Sequence, residues 1–544
     1  MDVALVTLLA AMTLSMALVP LFIRWAPALG MIDKPDPRKV HTTPIPRVGG
    51  IGIVVGALVA GLIWVPADTA IQAYWFGSLV LLVFGVWDDM KELGHYVKFV
   101  GQFIAVLAVV YGADLYVHYL PFLDAPLSEG AGKVFTVIAM VGMINAINHS
   151  DGLDGLAGGE SLLSLLAIMY LASLSESWPV ILIAAAAAGG VFGFLRYNSH
   201  PARVFMGDGG SQFLGFTLAF LAVYLTQVGN PALSPALPLL FLGLPIADII
   251  AVFIQRIYHG MNWFRATKNH IHHRLLELGF QHHESVVIIY SVQALLVLSA
   301  ILLPYEYDWL LLGIYFGVVA LVFGALIVAE RSGWRVNRAH HTFALTGRLA
   351  AGLDDPAVAR NLQRLLEAGV ALYVVTAVVI IRDMPADFRY ALPVLAGLLA
   401  LRLLLGFRLW FLFLRLLLFV AVAMFVYLVN ANAEVWASGG LGMLALVYFI
   451  ALAAALGVAM RFVRESRFRI TPLDFLVALL VVLVGSWPEL LGLDDTDIRM
   501  ILQMVVLFYV VEWVLQHMKS RWNLMTASVL LGLLVLTARA WVSF

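Results

Sequence analysis

Acidic, amide and histidine side chains occur in five short clusters that interrupt an otherwise apolar chain. The clusters are residues 34–47, Asp88-Asp89, 145–155, 203–211 and 270–274. Carboxylates can hold a hard divalent cation, basic side chains can bind phosphate oxygens, and glycines let the backbone approach a ligand closely. Together these residue types supply what phosphoryl transfer requires.

Two adjacent acids, Asp88 and Asp89, close the apolar stretch 70–87. Because adjacent carboxylates repel each other, we expect a divalent metal, a nearby lysine or a shared proton to relieve them. The alternative is a pair of interfacial acids that merely ends a helix.

Cluster 145–155 places two amides and two acids among glycines: Asn145, Asn148, Asp151 and Asp154. Asp151 and Asp154 are three residues apart and can face the same way, although Asp154 could also cap the next helix. A capping role alone would not require both amides and both acids. We therefore interpret the cluster as functional.

Cluster 203–211 holds one acid, Asp208, in a glycine-rich helix start beside Phe205. Backbone N–H groups at a helix start suit phosphate, the acid suits a hard cation, and the aromatic ring could stack on a base. A helix cap with an interfacial aromatic residue is the alternative.

The fifth cluster combines His270, His272, His273 and Arg274 in the polar stretch 257–285. The chain has no cysteine and no HExxH helix to accompany a zinc site. Histidine and arginine donors facing a pyrophosphate fit the neighbouring acids better. The nearby His282 and His283 are expected to be solvated.

The composition limits the class of protein that can carry these clusters. The 544 residues are 62% hydrophobic and 12% charged, with a mean hydropathy of +0.94, which predicts an all-α polytopic membrane protein. A net charge of −1 gives no reason to expect a nucleic-acid partner.

A membrane span requires about 20 apolar residues. This length predicts eleven spans in residues 1–330, a cytoplasmic linker with helical segments at 331–367, and about seven further spans in an accessory module at 368–544. The predicted spans are 3–24, 48–66, 70–87, 97–118, 133–148, 159–174, 179–195, 211–228, 235–256, 286–304, 308–329, 368–382, 390–406, 409–430, 440–460, 471–487, 500–516 and 523–542.

The distribution of lysine and arginine sets the expected orientation, because cytoplasmic loops are enriched in both. With the N-terminus outside, the basic loops and all five clusters fall on the cytoplasmic face. A transporter would place its acids near mid-membrane at broken helices, and a scaffold would not need paired acids. In the module, Arg402, Arg408 and Arg415 are expected to snorkel to the interface.

Over residues 1–330 the ordered motifs resemble the polyprenyl-phosphate N-acetylhexosamine-1-phosphate transferases. The resemblance rests on residues 34–50, Asp88-Asp89, 145–156, 205–211 and His270-Ile-His-His273. The stretches Pro-Asp-Pro-Arg-Lys-Val-His and Thr-Pro-Ile-Pro-Arg resemble the branch that starts O-antigen, enterobacterial common antigen or teichoic acid linkage units. The peptidoglycan branch usually has three consecutive histidines, from which this chain departs.

The resemblance implies an enzyme of the bacterial inner membrane with a cytoplasmic, magnesium-dependent active site, with manganese as the alternative metal. A polyprenyl phosphate such as undecaprenyl phosphate would attack the β-phosphorus of a UDP-sugar and release UMP. N-acetylglucosamine is the expected sugar, and GalNAc or a 6-deoxy aminosugar stays open.

The resemblance also implies roles for individual residues. Asp208 would be the principal magnesium ligand, with Asp151 as a second candidate, and Asp88 or Asp89 would orient or deprotonate the lipid phosphate. The uridine would be held by Gly152, Leu153, Asp154 and Phe205. The phosphates would lie against Asn148, Asp151 and the group His270, His272, His273 and Arg274.

Residues 331–544 depart from the usual family member. Their length and lack of dense polar motifs motivate the hypothesis of an accessory module for homodimerisation or for docking a later enzyme of the glycan pathway. Truncation near Arg331 tests it.

Overall fold

Helices account for nearly all regular structure in the described part of the chain. The computed structural model describes residues 2–35, 43–123, 125–261, 269–336, 356–385, 388–404, 411–437, 440–462, 474, 477, 494–518 and 522–542. In lipid, helices satisfy the backbone polar groups internally, which is why apolar stretches of this length adopt them. The predicted all-α polytopic class is confirmed.

The chain divides into two compact units, Met1–Asn337 with Thr471–Leu476, and Arg338–Ile470 with Val477–Phe544. The helices of the first unit are α1 Asp2–Leu29, α2 Gly49–Trp64, α3 Thr69–Lys91, α4 His95–Leu107, α5 Glu129–Ser150, α6 Leu156–Ser173, α7 Trp178–Asn198, α8 Gly207–Tyr224, α9 Leu237–Phe241, α10 Gly243–Tyr258, α11 Ile271–Glu277, α12 His282–Leu302 and α13 Asp308–Arg331.

Three irregularities modify the helices of the first unit. Both α4 and α8 continue into π-helical turns, at Ala108–Gly112 and Leu225–Gly229. The span predicted at 235–256 is two helices, α9 and α10, because the helix breaks at Leu242.

A two-stranded antiparallel ribbon pairs β1 (Ile32–Asp33) with β2 (Ile45–Pro46).

Helix α8 lies in the centre of the first unit. It packs against α3, α5 and α2, while α7 packs against α1, α2 and α6. Almost every residue of α8 from Gly209 to Tyr224 is buried. A helix that is apolar on all sides belongs in such a core. The first turn of α8, which carries Asp208, is therefore part of a rigid element.

The second unit has the helices α14 Pro356–Ile380, α15 Phe388–Leu404, α16 Phe411–Ala431, α17 Gly440–Phe462, α18 Asp495–His517 and α19 Leu524–Val542. Helix α14 runs without a break through the boundary expected at residue 367. Arg402 and Arg415 are buried, and Arg415 Nη2 lies 2.8 Å from Glu512 Oε1. The expectation that these two arginines snorkel is wrong, and Arg408 lies outside the described residues.

Thirteen helices of the described residues are long and apolar enough to cross a membrane. Gly49–Trp64 and Leu417–Ala431 are shorter apolar helices. The predicted span 471–487 lies almost entirely outside the described residues, and each of the other predicted spans overlaps helix. The span predicted at 97–118 is helical only as far as Gly112. The full number of spans stays a prediction.

Candidate active site

The crossing of α3 and α8 brings acids from two separate motifs together. Asp88 and Asp89 lie in the last turn of α3, and Asp208 lies in the first turn of α8. A Cβ on Gly85 of α3 would collide with the backbone of Gly209 in α8. Because that obstacle is backbone, only glycine permits the close approach that sets the three carboxylates at one end of the helix pair.

Lys98 of α4 lies between two of these acids. Its Nζ is 2.7 Å from Oδ2 of Asp88 and 2.7 Å from Oδ2 of Asp208. Asn148 and Gln212 donate further hydrogen bonds to Asp208, each of 3.3 Å. Of the three expected ways to relieve the acids, the structure therefore contains the lysine.

The two adjacent acids have different environments. Asp89 accepts hydrogen bonds from the backbone N–H groups of Asp208 (3.1 Å) and Gly209 (3.4 Å), so both its oxygens cap the start of α8. Gly207 directly precedes Asp208 and has a φ of +73°. A Cβ at this position would lie 2.5 Å from Asp89 Oδ2, so a side chain here would collide with that carboxylate. By contrast, Asp88 Oδ1 is buried and accepts no hydrogen bond from the described residues.

A cavity of about 550 Å³ opens beside these acids. Its lining brings together most of the residues that the sequence singled out, along with others from the first cluster and from neighbouring turns. The lining residues are Asp33, Thr43, Ile45, Arg47, Asp89, Asn148, Asp151, Gly152, Leu153, Asp154, Asn198, His200, Pro201, Ala202, Phe205, Gly207, Asp208, His273 and His282.

Asp154 is held by histidines rather than by the helix that it could cap. His200 Nδ1 lies 2.7 Å from Asp154 Oδ2, and the Ala202 N–H donates to the same oxygen at 3.0 Å. Burial favours the neutral acid, but the hydrogen bond from His200 and the charge of His282 outweigh it, so the pKa of Asp154 lies below its usual range. This carboxylate is ionised at neutral pH.

His282 stacks on His200 with ring centroids 4.3 Å apart, so the expectation that His282 is solvated is wrong. His200, His282 and Asp154 offer possible metal-ligand atoms within 4.8 Å of one another. However, 2.7 Å between His200 and Asp154 is the length of a direct hydrogen bond. The cluster as it stands orients a carboxylate at the cavity wall.

Asp151 lines the cavity in a different electrostatic environment. Burial and the negative charges of Asp208 and Asp154 raise the pKa of Asp151 to about 7. A cation bound beside it would favour the ionised form. Asp151 is therefore a group whose charge depends on what the cavity contains.

The histidine motif does not face the cavity as one group. His270 Nδ1 lies 2.7 Å from Asp248 Oδ2, and His272 packs where a Cβ on Gly152 would collide with it. Burial, followed by the charge of His273, holds the pKa of His272 well below its usual range, so His272 is neutral. Among the described residues that line the cavity, the motif contributes His273.

Arg274 is turned towards α13. Its Nε and Nη2 lie 2.7 and 2.9 Å from the two carboxylate oxygens of Glu330. Of the four motif residues, the structure places His273 at the cavity and gives each of the other three a different neighbour. That all four bind the diphosphate stays a prediction.

Sequence reasoning missed two residues that organise the site, Lys98 and Asn198. Asn198 accepts from the Gly155 N–H (2.8 Å) and donates to the Val204 carbonyl (2.9 Å), which joins clusters 145–155 and 203–211. In the sequence, Lys98 is a single lysine near the start of an apolar span. The enrichment of lysine in cytoplasmic loops explains such a residue equally well.

The sequence profile of Glycosyl transferase family 4 matches residues 71–226. A Bacillus subtilis (strain 168) protein named "Probable undecaprenyl-phosphate N-acetylglucosaminyl 1-phosphate transferase" is 34% identical over 322 residues, covering 58% of this chain and 88% of that relative. A Yersinia pestis undecaprenyl-phosphate alpha-N-acetylglucosaminyl 1-phosphate transferase is 29% identical over 320 residues, 57% of this chain and 87% of its own length.

A third relative is the decaprenyl-phosphate N-acetylglucosaminephosphotransferase of Mycobacterium tuberculosis (strain CDC 1551 / Oshkosh). It is 31% identical over 326 residues, 53% of this chain and 79% of its own length. The ordered motifs, the cavity that they line and these similarities agree, and the chain belongs to the polyprenyl-phosphate N-acetylhexosamine-1-phosphate transferases of glycosyl transferase family 4, in the N-acetylglucosaminyl branch.

Proposed function

We propose that the chain transfers N-acetylglucosamine-1-phosphate from UDP-GlcNAc to undecaprenyl or another polyprenyl phosphate, which starts a cell-surface polysaccharide. The observation that carries the proposal is the cavity beside Asp88, Lys98 and Asp208. It combines carboxylates, basic donors and glycine-rich backbone on membrane-spanning helices, as a nucleotide donor and a lipid acceptor require. The names of the relatives supply the sugar and the lipid.

The donor set fits a magnesium ion. Asp208 and Asp151 line the cavity with carboxylate oxygens, and the buried Oδ1 of Asp88 accepts no hydrogen bond from the described residues. Magnesium prefers such oxygen ligands, and manganese would suit them too. We assign Asp208 as the principal ligand and Asp151 as the second. When bound, the ion supplies charge neutralisation to the diphosphate.

The reaction forms a bond between a lipid phosphate oxygen and the β-phosphorus of the UDP-sugar. The bond from that phosphorus to the bridging oxygen breaks, and the electron pair leaves with UMP. A general base is optional, because a phosphate monoester carries about −1.5 to −2 charge near neutrality. Asp88, which holds Lys98, orients the lipid phosphate, and Asp89 positions Asp208 through the start of α8. His273 binds the diphosphate.

The other end of the cavity suits the nucleoside. Gly152, Leu153 and Asp154 form one wall, and Phe205 offers a ring against which a base could stack. The ionised Asp154 can accept a hydrogen bond from the N–H of uracil. Asn148, which contacts Asp208, lies towards the phosphates.

The multi-pass chain would lie in the bacterial inner membrane with this site on the cytoplasmic face, as the lysine and arginine distribution favours. The second unit would serve homodimerisation or the docking of a later glycan enzyme. Helix α17 has an exposed apolar face that includes Met443, Leu444 and Val447. Lipid covers such faces as well, so cross-linking in membranes is the relevant measurement.

The test of the activity is UMP release by the purified chain in detergent with undecaprenyl phosphate, UDP-GlcNAc and magnesium. Parallel reactions contain UDP-GalNAc, EDTA or no lipid. We expect UMP only when lipid, magnesium and UDP-GlcNAc are all present. A folded protein that releases no UMP from any UDP-sugar would overturn the proposal and favour a transporter or a scaffold.

A further inference from the structure

Helix α11, which carries His272 and His273, is fixed to the end of α13 by a two-pronged ion pair. Arg274 is buried, and its Nε and Nη2 contact the two oxygens of Glu330 at 2.7 and 2.9 Å. The guanidinium also lies 5.9 Å from the ring centroid of Phe323. Paired parallel hydrogen bonds between arginine and a carboxylate are strong and directional.

The segment that follows α13 adds two further contacts, both to the turn that follows α11. The Val336 N–H donates to the Leu278 carbonyl at 3.0 Å, and the rings of Phe280 and Trp334 lie 6.0 Å apart. Residues 330–336 therefore hold α11 and its exit turn at three points that are distributed along the chain.

Helix α11 needs such external support because it is short. It has seven residues, Ile271–Glu277, and isolated helices below about 12–15 residues are marginal in water. Its start is held through His270 and Asp248. Its second turn is held through Arg274, the residue directly after His273, so a rotation released there would move His273 within the cavity.

We propose that Glu330 is a positioning residue for the diphosphate end of the site, acting through Arg274 on the orientation of His273. The role rests on the proposed transferase function, and it gives Arg274 a structural task in place of direct substrate contact. The proposal also means that residues 330–336, from which the chain continues into the second unit, help to hold α11 in place.

The kinetic test uses the full-length chain with E330Q, E330D and R331Q. We expect E330Q to lower kcat/KM for the UDP-sugar roughly tenfold, as loss of a charged hydrogen bond would. The KM for polyprenyl phosphate should not change. E330D should restore part of the loss, and R331Q, which alters the adjacent exposed charge, should match the unmodified chain.

A second measurement does not depend on activity. The chain lacks cysteine, so L278C, at a buried position of the α11 exit turn, introduces a single reactive thiol. We expect E330Q to accelerate maleimide labelling of this thiol several-fold and R331Q to leave the rate unchanged. Unchanged labelling and unchanged UDP-sugar kinetics in E330Q would overturn the positioning role. An unmodified chain that releases no UMP would instead contradict the proposed function, and the labelling rates would still decide whether Glu330 holds α11 in place.

Discussion

The two units contain different arrangements of buried charge. In the first unit, Asp88, Asp89 and Asp208 lie beside an open cavity, and a lysine from another helix separates two of them. In the second unit, Arg415 and Glu512 contact each other within the helix bundle. The contrast indicates that the first unit, besides ion pairs such as Arg274–Glu330 that join its helices, also holds charge ready for a ligand, whereas the Arg415–Glu512 pair of the second unit joins helices.

Among variants that test this comparison, D208N is expected to have the largest effect on UMP release. Loss of the carboxylate that we propose as the principal magnesium ligand should reduce UMP release by about 10³-fold, comparable to removal of a group that stabilises transition-state charge. The matched control is D114N, which alters an exposed acid paired with Lys133. Near-normal turnover in D208N would show that this acid has no place in the chemistry.

K98Q should have the next largest effect, a decrease in kcat of roughly 10²-fold. The substitution removes the cation between Asp88 and Asp208, so magnesium should bind more tightly although turnover falls. Magnesium titrations of UMP release measure both quantities. Weaker magnesium binding in K98Q would mean that the lysine assists the metal site rather than competing with it.

D154N should act mainly on nucleotide binding. Because we propose that the ionised carboxylate binds the nucleoside, we expect the KM for UDP-GlcNAc to rise about tenfold while kcat changes little. H200Q, which removes the hydrogen bond to Asp154, should shift KM in the same direction by a smaller factor. A loss confined to kcat would place Asp154 at the reacting phosphates instead.

In the second unit, R415L should alter stability and leave chemistry unchanged. Breaking a buried ion pair costs about 3–5 kcal/mol, which should lower the melting temperature of the second unit. UMP release should stay close to that of the unmodified chain. The double variant R415L/E512L should recover most of the stability, since no unpaired charge would remain. A loss of activity in R415L would show that the two units are coupled.

The smallest effect is expected from a stop codon after Asn337, where the long stretch of the first unit, Met1–Asn337, ends. UMP release should change less than twofold, within the spread expected when no catalytic contact is removed. Oligomeric state and glycan output in cells should change if the second unit serves assembly. A stop after Arg331 should be worse, because it removes Trp334 and Val336 from the turn that follows α11.

The sequence predicted the helices well because a span is a local property of about 20 residues. It could not predict the break at Leu242, which separates α9 from α10 inside one apolar stretch. It did predict helical segments in the linker, but not that the helix beginning at Pro356 continues without a break to Ile380, since the polar residues in its first turns separated that part from the apolar span.

The site was predictable to the extent that its residues share motifs. Asp208, Asn148 and Asp154 stand in glycine-rich clusters, and all three line the cavity. The separate environments of Asp88 and Asp89 were not predictable, because they depend on Lys98 and on the start of α8 in three dimensions. The same holds for Arg274, whose partner Glu330 is 56 residues away in the chain.

The lysine between Asp88 and Asp208 has a practical consequence for inhibitor discovery. Without magnesium the pair of carboxylates is already neutralised in part by an ammonium group, so a screen under those conditions would select compounds that fit a lysine-bridged pocket. Compounds that carry their own divalent cation, or that mimic a metal-bound diphosphate, would score poorly there. Screening with and without magnesium would separate the two classes of compound.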